Sequence, residues 1–118
     1  MPVHRLLATG VTAQTYQLPA DKLLQGNPMH TVWLQYTDAS GKFSVGIWHS
    51  ECGAWRVRYT EEEHCLMLEG CSLITEDGAE PVTVRVGDAF VIPRGFVGTW
   101  QVLEPTTKRF VIYEPEAA

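Results

Sequence analysis

The stretch "YTEEEHCLMLEG", residues 59–70, sets three carboxylates (Glu61, Glu62, Glu63), a histidine (His64) and a thiol (Cys65) ahead of an apolar run that stops at Gly70. All five groups can bind a metal or move a proton. The run that follows has the character of a strand. On a strand, side chains alternate between faces. If Glu63 faces inward, Cys65 and Met67 do so too, and His64 points away.

Working outward, the same signature repeats. "HTVWLQYT" (30–37) and "KFSVGIWHS" (42–50) flank a "DASG" turn and read as a hairpin. "AWRVRYT" (54–60) alternates, with Trp55, Val57 and Tyr59 on one face and Arg56 and Arg58 on the other. "EHCLMLEG" reads as a strand ending at Gly70, and "CSLIT" as pairing back across a turn. "PVTVRV", "AFVIP", "FVGTWQVLE" and "KRFVIYE" complete the set. Turn signals recur about every eight to twelve residues, which predicts an all-β sandwich or barrel. The one helical expectation is a short turn near "ADKLLQ" (20–25). Gly70, Gly87 and Gly95 are expected at positive φ. The closing "PEAA" is expected to fray.

The chain has 118 residues, enough for one domain with a real core, taken as 1–118 with its centre at about 25–114. Net charge is −5, and no cluster of Lys and Arg goes beyond Arg56 with Arg58. A nucleic-acid footprint is therefore lacking. No apolar run reaches the ~18 residues of a membrane span, and "MPVHRLLATG" lacks the apolar centre of a signal peptide. The cysteines, Cys52, Cys65 and Cys71, are odd in number and form no CxxC. Free thiols in a reducing cytoplasm are the expectation.

The spacing carries a resemblance. Gly53, then Glu63, then Gly70 after six residues resembles the end of the first cupin motif. "GDAFVIPRG" (87–95) resembles the start of the second: glycine, five residues, proline, any residue, glycine. Together with "GIWHSECG" and the closing "KRFVIYE", the chain resembles the cupin branch of the ethanolamine-utilisation and ureidoglycine aminohydrolase-like domains, over about residues 25–114. The resemblance implies a double-stranded β-helix, or jelly-roll barrel, with a pocket inside it, usually as a homodimer.

It also implies a metal site, and here the sequence departs from the family pattern. A metal cupin uses two histidines and the glutamate of the first motif, plus a histidine of the second. The two first-motif positions fall on Arg56 and Arg58, or with a shorter gap on Val57 and Tyr59. The second-motif position falls on Gly98. Only Glu63 remains, so neither metal nor other cofactor is expected. His4, His30, His49 and His64 read more plainly as surface or partly buried histidines, although His49 could reach inward.

The expected pocket contains Glu63 and Cys65, with Trp100 as an aromatic wall and Trp48 from a neighbouring strand. Gly98 is expected to leave the room that a histidine ring would fill. Either Arg56 with Arg58, or Trp55 with Tyr59, completes the wall. Such a lining suits a small organic molecule with polar groups. Plainer readings stand beside this one: Glu63 in an ion pair with an arginine, Cys65 as a small core residue, Trp100 as barrel filling. Three functions follow. The first is a binder of a small organic metabolite on a degenerate metal site. The second is a metal-free isomerase, lyase or amidohydrolase with Glu63 as general acid or base. The third is a structural or partner-binding dimer.

Overall fold

Two strands of unusual length organise the molecule. The computed structural model describes residues 2–7 and 9–116, so Ala117 and Ala118 of the "PEAA" tail lie outside the described residues, as do Met1 and Ala8. In chain order the strands are β1 (Gln14–Tyr16), β2 (Leu23–Gln25), β3 (His30–Thr37), β4 (Phe43–Ser50), β5 (Gly53–Arg58), β6 (Glu62–Glu76), β7 (Val82–Arg85), β8 (Ala89–Ile92) and β9 (Val97–Tyr113). A single 3-10 turn, Ala20–Lys22, lies within the segment expected to be helical.

β6 and β9 pair antiparallel along their whole length, from Glu62 opposite Tyr113 to Glu76 opposite Gly98. One half of this ladder carries β4, β3 and β1 on the β9 side and β8 on the β6 side. The other half carries β5 and β2 on the β9 side and β7 on the β6 side. The chain thus forms a jelly-roll barrel whose two sheets share β6 and β9. Trp48, Trp55, Met67, Ile92, Trp100 and Phe110 fill its centre.

Both long strands read from sequence as two each, and the structure joins them. "EHCLMLEG" and "CSLIT" are one strand, as are "FVGTWQVLE" and "KRFVIYE". Gly70 does have positive φ (86°), but it serves a bulge within β6 rather than a turn. A side chain there would meet the backbone of Glu104 and Pro105, so the bends in the two strands nest against each other. Turn chemistry holds where it was expected at Gly87 (φ 91°) and Gly95 (φ 93°). Next to Gly87, the Asp88 carboxylate accepts a bond from the Arg85 N–H at 2.8 Å.

Gly98 requires a different reading from the one the sequence gives. Its missing Cβ points at the backbone of Thr75 and Glu76 on β6, not into open space. The glycine permits close strand approach and leaves no room for a ring. Gly98→Ala is expected to destabilise the fold by about 1–3 kcal/mol, the range for overpacking a tight site. Urea unfolding would report this as a lower midpoint at unchanged m-value.

Candidate functional site

Glu63 and Lys108 meet inside the barrel. On the inner face of the β6–β9 ladder, Glu63 lies opposite Ile112, Cys65 opposite Phe110, and Met67 opposite Lys108. Lys108 therefore reaches back along the strand to Glu63, and its Nζ donates to Glu63 Oε2 at 2.5 Å. The Cys65 Sγ, midway between them, donates to the same oxygen at 3.1 Å. Glu63 is 4% exposed and Lys108 5%. The ammonium also sits over two indole faces, 4.4 Å from the Trp100 centroid and 4.8 Å from that of Trp48. Burial by itself would lower the Lys108 pKa, but the Glu63 carboxylate more than reverses this, so the lysine stays charged. Burial pushes the Cys65 thiol up to about 12, which keeps it protonated.

The walls are held by polar contacts of their own. Trp100 Nε1 donates to Ser72 Oγ at 3.1 Å, and Ser72 shares a 2.7 Å bond with Thr106 at the bend of β9. Trp48 Nε1 donates to His30 Nδ1 at 3.2 Å. His30 is 2% exposed, stacked on Tyr16 at 4.9 Å and met edge-on by Trp55 at 4.7 Å. Burial first, and the Lys108 charge second, lower its pKa from 6.5 to about 4. Tyr59 meets Phe96 edge-on at 6.0 Å, its phenol pKa raised mainly by burial.

These groups surround a cavity of about 390 Å³. Of the residues expected there, Glu63, Trp48, Tyr59 and Trp100 line it, and Arg56 and Arg58 also border it. Cys65 lies behind Glu63 rather than on the cavity surface. Of the two registers left open for residues 55–59, the structure takes the one with Trp55, Val57 and Tyr59 inward. Arg56 instead turns out to the Asp77 carboxylate in a bidentate pair at 2.7 and 2.6 Å, and Arg58 is exposed. The cation beside Glu63 is therefore Lys108, not an arginine. His49 stays on the outer side, bonded to Thr107 Oγ1 at 2.8 Å.

Two wall residues escaped the sequence reading. Lys108 was legible in principle, because it alternates with Phe110 and Ile112 in "KRFVIY". A strand that places a lysine on its apolar face implies a buried counter-charge. His30 reads from sequence as a surface or partly buried residue; the pairing of β1 beside β3, which sets Tyr16 against it, and the indoles of Trp48 and Trp55 bury it.

The jelly roll commonly holds a divalent cation near this glutamate, but the residues present do not fit one. Lys108 already places a positive charge on Glu63 Oε2 and would repel a second cation. Among the described residues no three His, Cys, Asp or Glu side chains converge on a common point.

Residues 37–110 match the EutQ-like cupin domain family. The chain belongs to that family. Among solved structures, a DUF861-family protein of unknown function from Pseudomonas syringae superposes with a TM-score of 0.79 at 15% identity, covering 89% of this chain and 45% of that one. The EutQ protein of Clostridium difficile gives 0.66 at 18% identity, over 75% of this cupin and 65% of its own chain. A DUF861-family protein from Thermotoga maritima is 31% identical over 54% of this cupin and 73% of its own length, with a TM-score of 0.53. The cupin thus spans about half of the Pseudomonas protein and under two thirds of the Clostridium one. No curated protein matches it.

Two outcomes follow. Lys108→Met strands a buried carboxylate, and Glu63→Gln strands a buried ammonium. Each is expected to cost about 3–5 kcal/mol, with the double variant losing much less than the sum. A double-mutant cycle by urea denaturation reads this directly. His30 adds a pH dependence. Unfolded, it takes a proton near 6.5; folded, only near 4. Between those values the unfolded state binds more protons, so this contribution to stability is complete above about pH 6.5 and is lost as pH falls toward 4. The full span is worth about 3 kcal/mol. Denaturation midpoints across that range should slope less steeply in His30→Gln than in the parent protein.

Proposed function

We propose that this cupin binds a small organic molecule inside the barrel, with the Lys108–Glu63 pair at the floor of the site and the indoles of Trp48 and Trp100 as its walls. One observation carries the reading: a buried ion pair borders a cavity of about 390 Å³ that is otherwise rich in aromatic surface. Burying two charges is expensive, and apolar side chains of equal volume often serve stability as well or better. A pair kept at such a place is better explained by what it offers a ligand. Oε2 of Glu63 is taken by Lys108 and Cys65, while Oε1 has no protein partner among the described residues. A ligand that donates to Oε1 and stacks on an indole would use both kinds of group, as expected for a cavity of this size and composition. Glu63 is the residue that the resemblance aligns with the glutamate of the first cupin motif, and paired with Lys108 it would offer a ligand fixed charges without a metal.

The test is a thermal-shift and tryptophan-fluorescence screen of small polar aromatic compounds. Binders are expected to raise Tm and change the emission of Trp48 and Trp100. The double variant Glu63→Gln/Lys108→Met keeps the volume and removes both charges. It is expected to fold but to lose about tenfold or more in affinity, the scale of one charge-assisted hydrogen bond. Binding that survives intact in this variant would put the ligand elsewhere.

A further inference from the structure

We infer that His30 is a ligand-binding residue whose Nε2–H donates to an oxygen of a planar organic acid held in the barrel. The inference deepens the binding reading given above and rests on it. Trp48 Nε1 can only donate, so the His30 Nδ1 that it contacts at 3.2 Å is the bare nitrogen of the ring. The ring proton is therefore on Nε2. That atom is buried and has no hydrogen-bond partner among the described residues. A buried donor without an acceptor is a standing penalty, and protein interiors rarely leave one. Two other buried side-chain atoms share this condition, Gln35 Oε1 and Glu114 Oε1, but neither residue borders the cavity, whereas His30 does. Of these three residues, His30 alone lines the cavity, so its unmet donor is the one next to an incoming molecule.

Charge selects the kind of acceptor. The chain as a whole is acidic, at −5. The cavity reverses that sign: Lys22, Arg56, Arg58 and Lys108 border it, against Glu61 and Glu63. Setting aside Arg56, which is held by Asp77, still leaves cations in excess. Glu63 is matched by Lys108, so it does not set the field alone. An acidic protein with a positive pocket attracts an anion to that pocket. Shape selects the body of the ligand. Trp48 lies edge-on to both Trp55, at 6.1 Å, and Trp100, at 5.5 Å, and these rings frame a space suited to a flat molecule. His30 also meets acceptors as a neutral ring, because burial and Lys108 keep it unprotonated well below neutral pH.

The experiment titrates three probes of one shape into the whole protein: benzoate, benzyl alcohol and benzylamine. Two-dimensional NMR follows the barrel amides and the His30 imidazole. Benzoate is expected to bind at least about tenfold tighter than benzyl alcohol, and benzylamine more weakly than both. In the parent protein, benzoate should move the His30 Nε2–H resonance downfield. His30→Phe should weaken benzoate by about tenfold to a hundredfold and benzyl alcohol by much less, so that the preference for benzoate collapses. Equal affinity for benzoate and benzyl alcohol, or a benzoate preference that persists in His30→Phe, overturns the inference. Should that variant fail to fold, the resonance decides, and a His30 signal unmoved by bound benzoate overturns it. Benzyl alcohol binding without benzoate defeats only the role of His30 and the acid. Failure of all three probes to perturb the barrel defeats the binding reading as well.

Discussion

The β6–β9 ladder is the constraint from which the rest of the structure follows. Both sheets of the barrel hang on these two strands, and their pairing runs from Glu62–Tyr113 to Glu76–Gly98, interrupted only by register shifts between Met67 and Ser72. The ladder survives its own bend because Gly70 takes positive φ where β9 turns at Pro105. It also fixes the interior chemistry. Alternation along β6 sends Glu63, Cys65 and Met67 inward, and alternation along β9 sends Lys108, Phe110 and Ile112 to meet them. A slip of one residue would exchange Lys108 for Arg109 and leave Glu63 without its partner.

The buried pair and the aromatic walls depend on each other. Lys108 is tolerable in the interior because Glu63 supplies the counter-charge and two indole faces supply a favourable quadrupole. Trp100 is fixed in turn by Ser72 and Thr106, and Trp48 by His30. The polar groups of the interior thus orient the rings, and the rings shield the charge. His30, whose Nε2 has no partner among the described residues, and Glu63 both line the cavity.

Much of the architecture was legible in the chain because it rests on local periodicity. Alternation in "AWRVRYT" and "EHCLMLEG", the turn at "DASG", and the glycines at 87 and 95 all correspond to observed elements. The long strands were not legible. Gly70 and the Glu104–Pro105 region look like terminators, and only the partner strand shows them to be bends within a continuous ladder. Of the site, Glu63, Trp48, Tyr59 and Trp100 could be read from alternation and motif spacing. Lys108 could not be chosen over Arg56 as the partner of Glu63, because opposite charges 45 residues apart have no sequence signal for contact.

The sequence by itself determined an all-β jelly roll of the cupin kind, because strand period, turn chemistry and motif spacing are local. Tertiary structure alone decided which cation meets Glu63, which face of residues 55–59 lines the cavity, and that Gly98 admits a strand rather than a ring. It also decided that His30 is buried with one donor unmet. Each of these depends on which strands become neighbours, and that is settled by long-range pairing across the barrel.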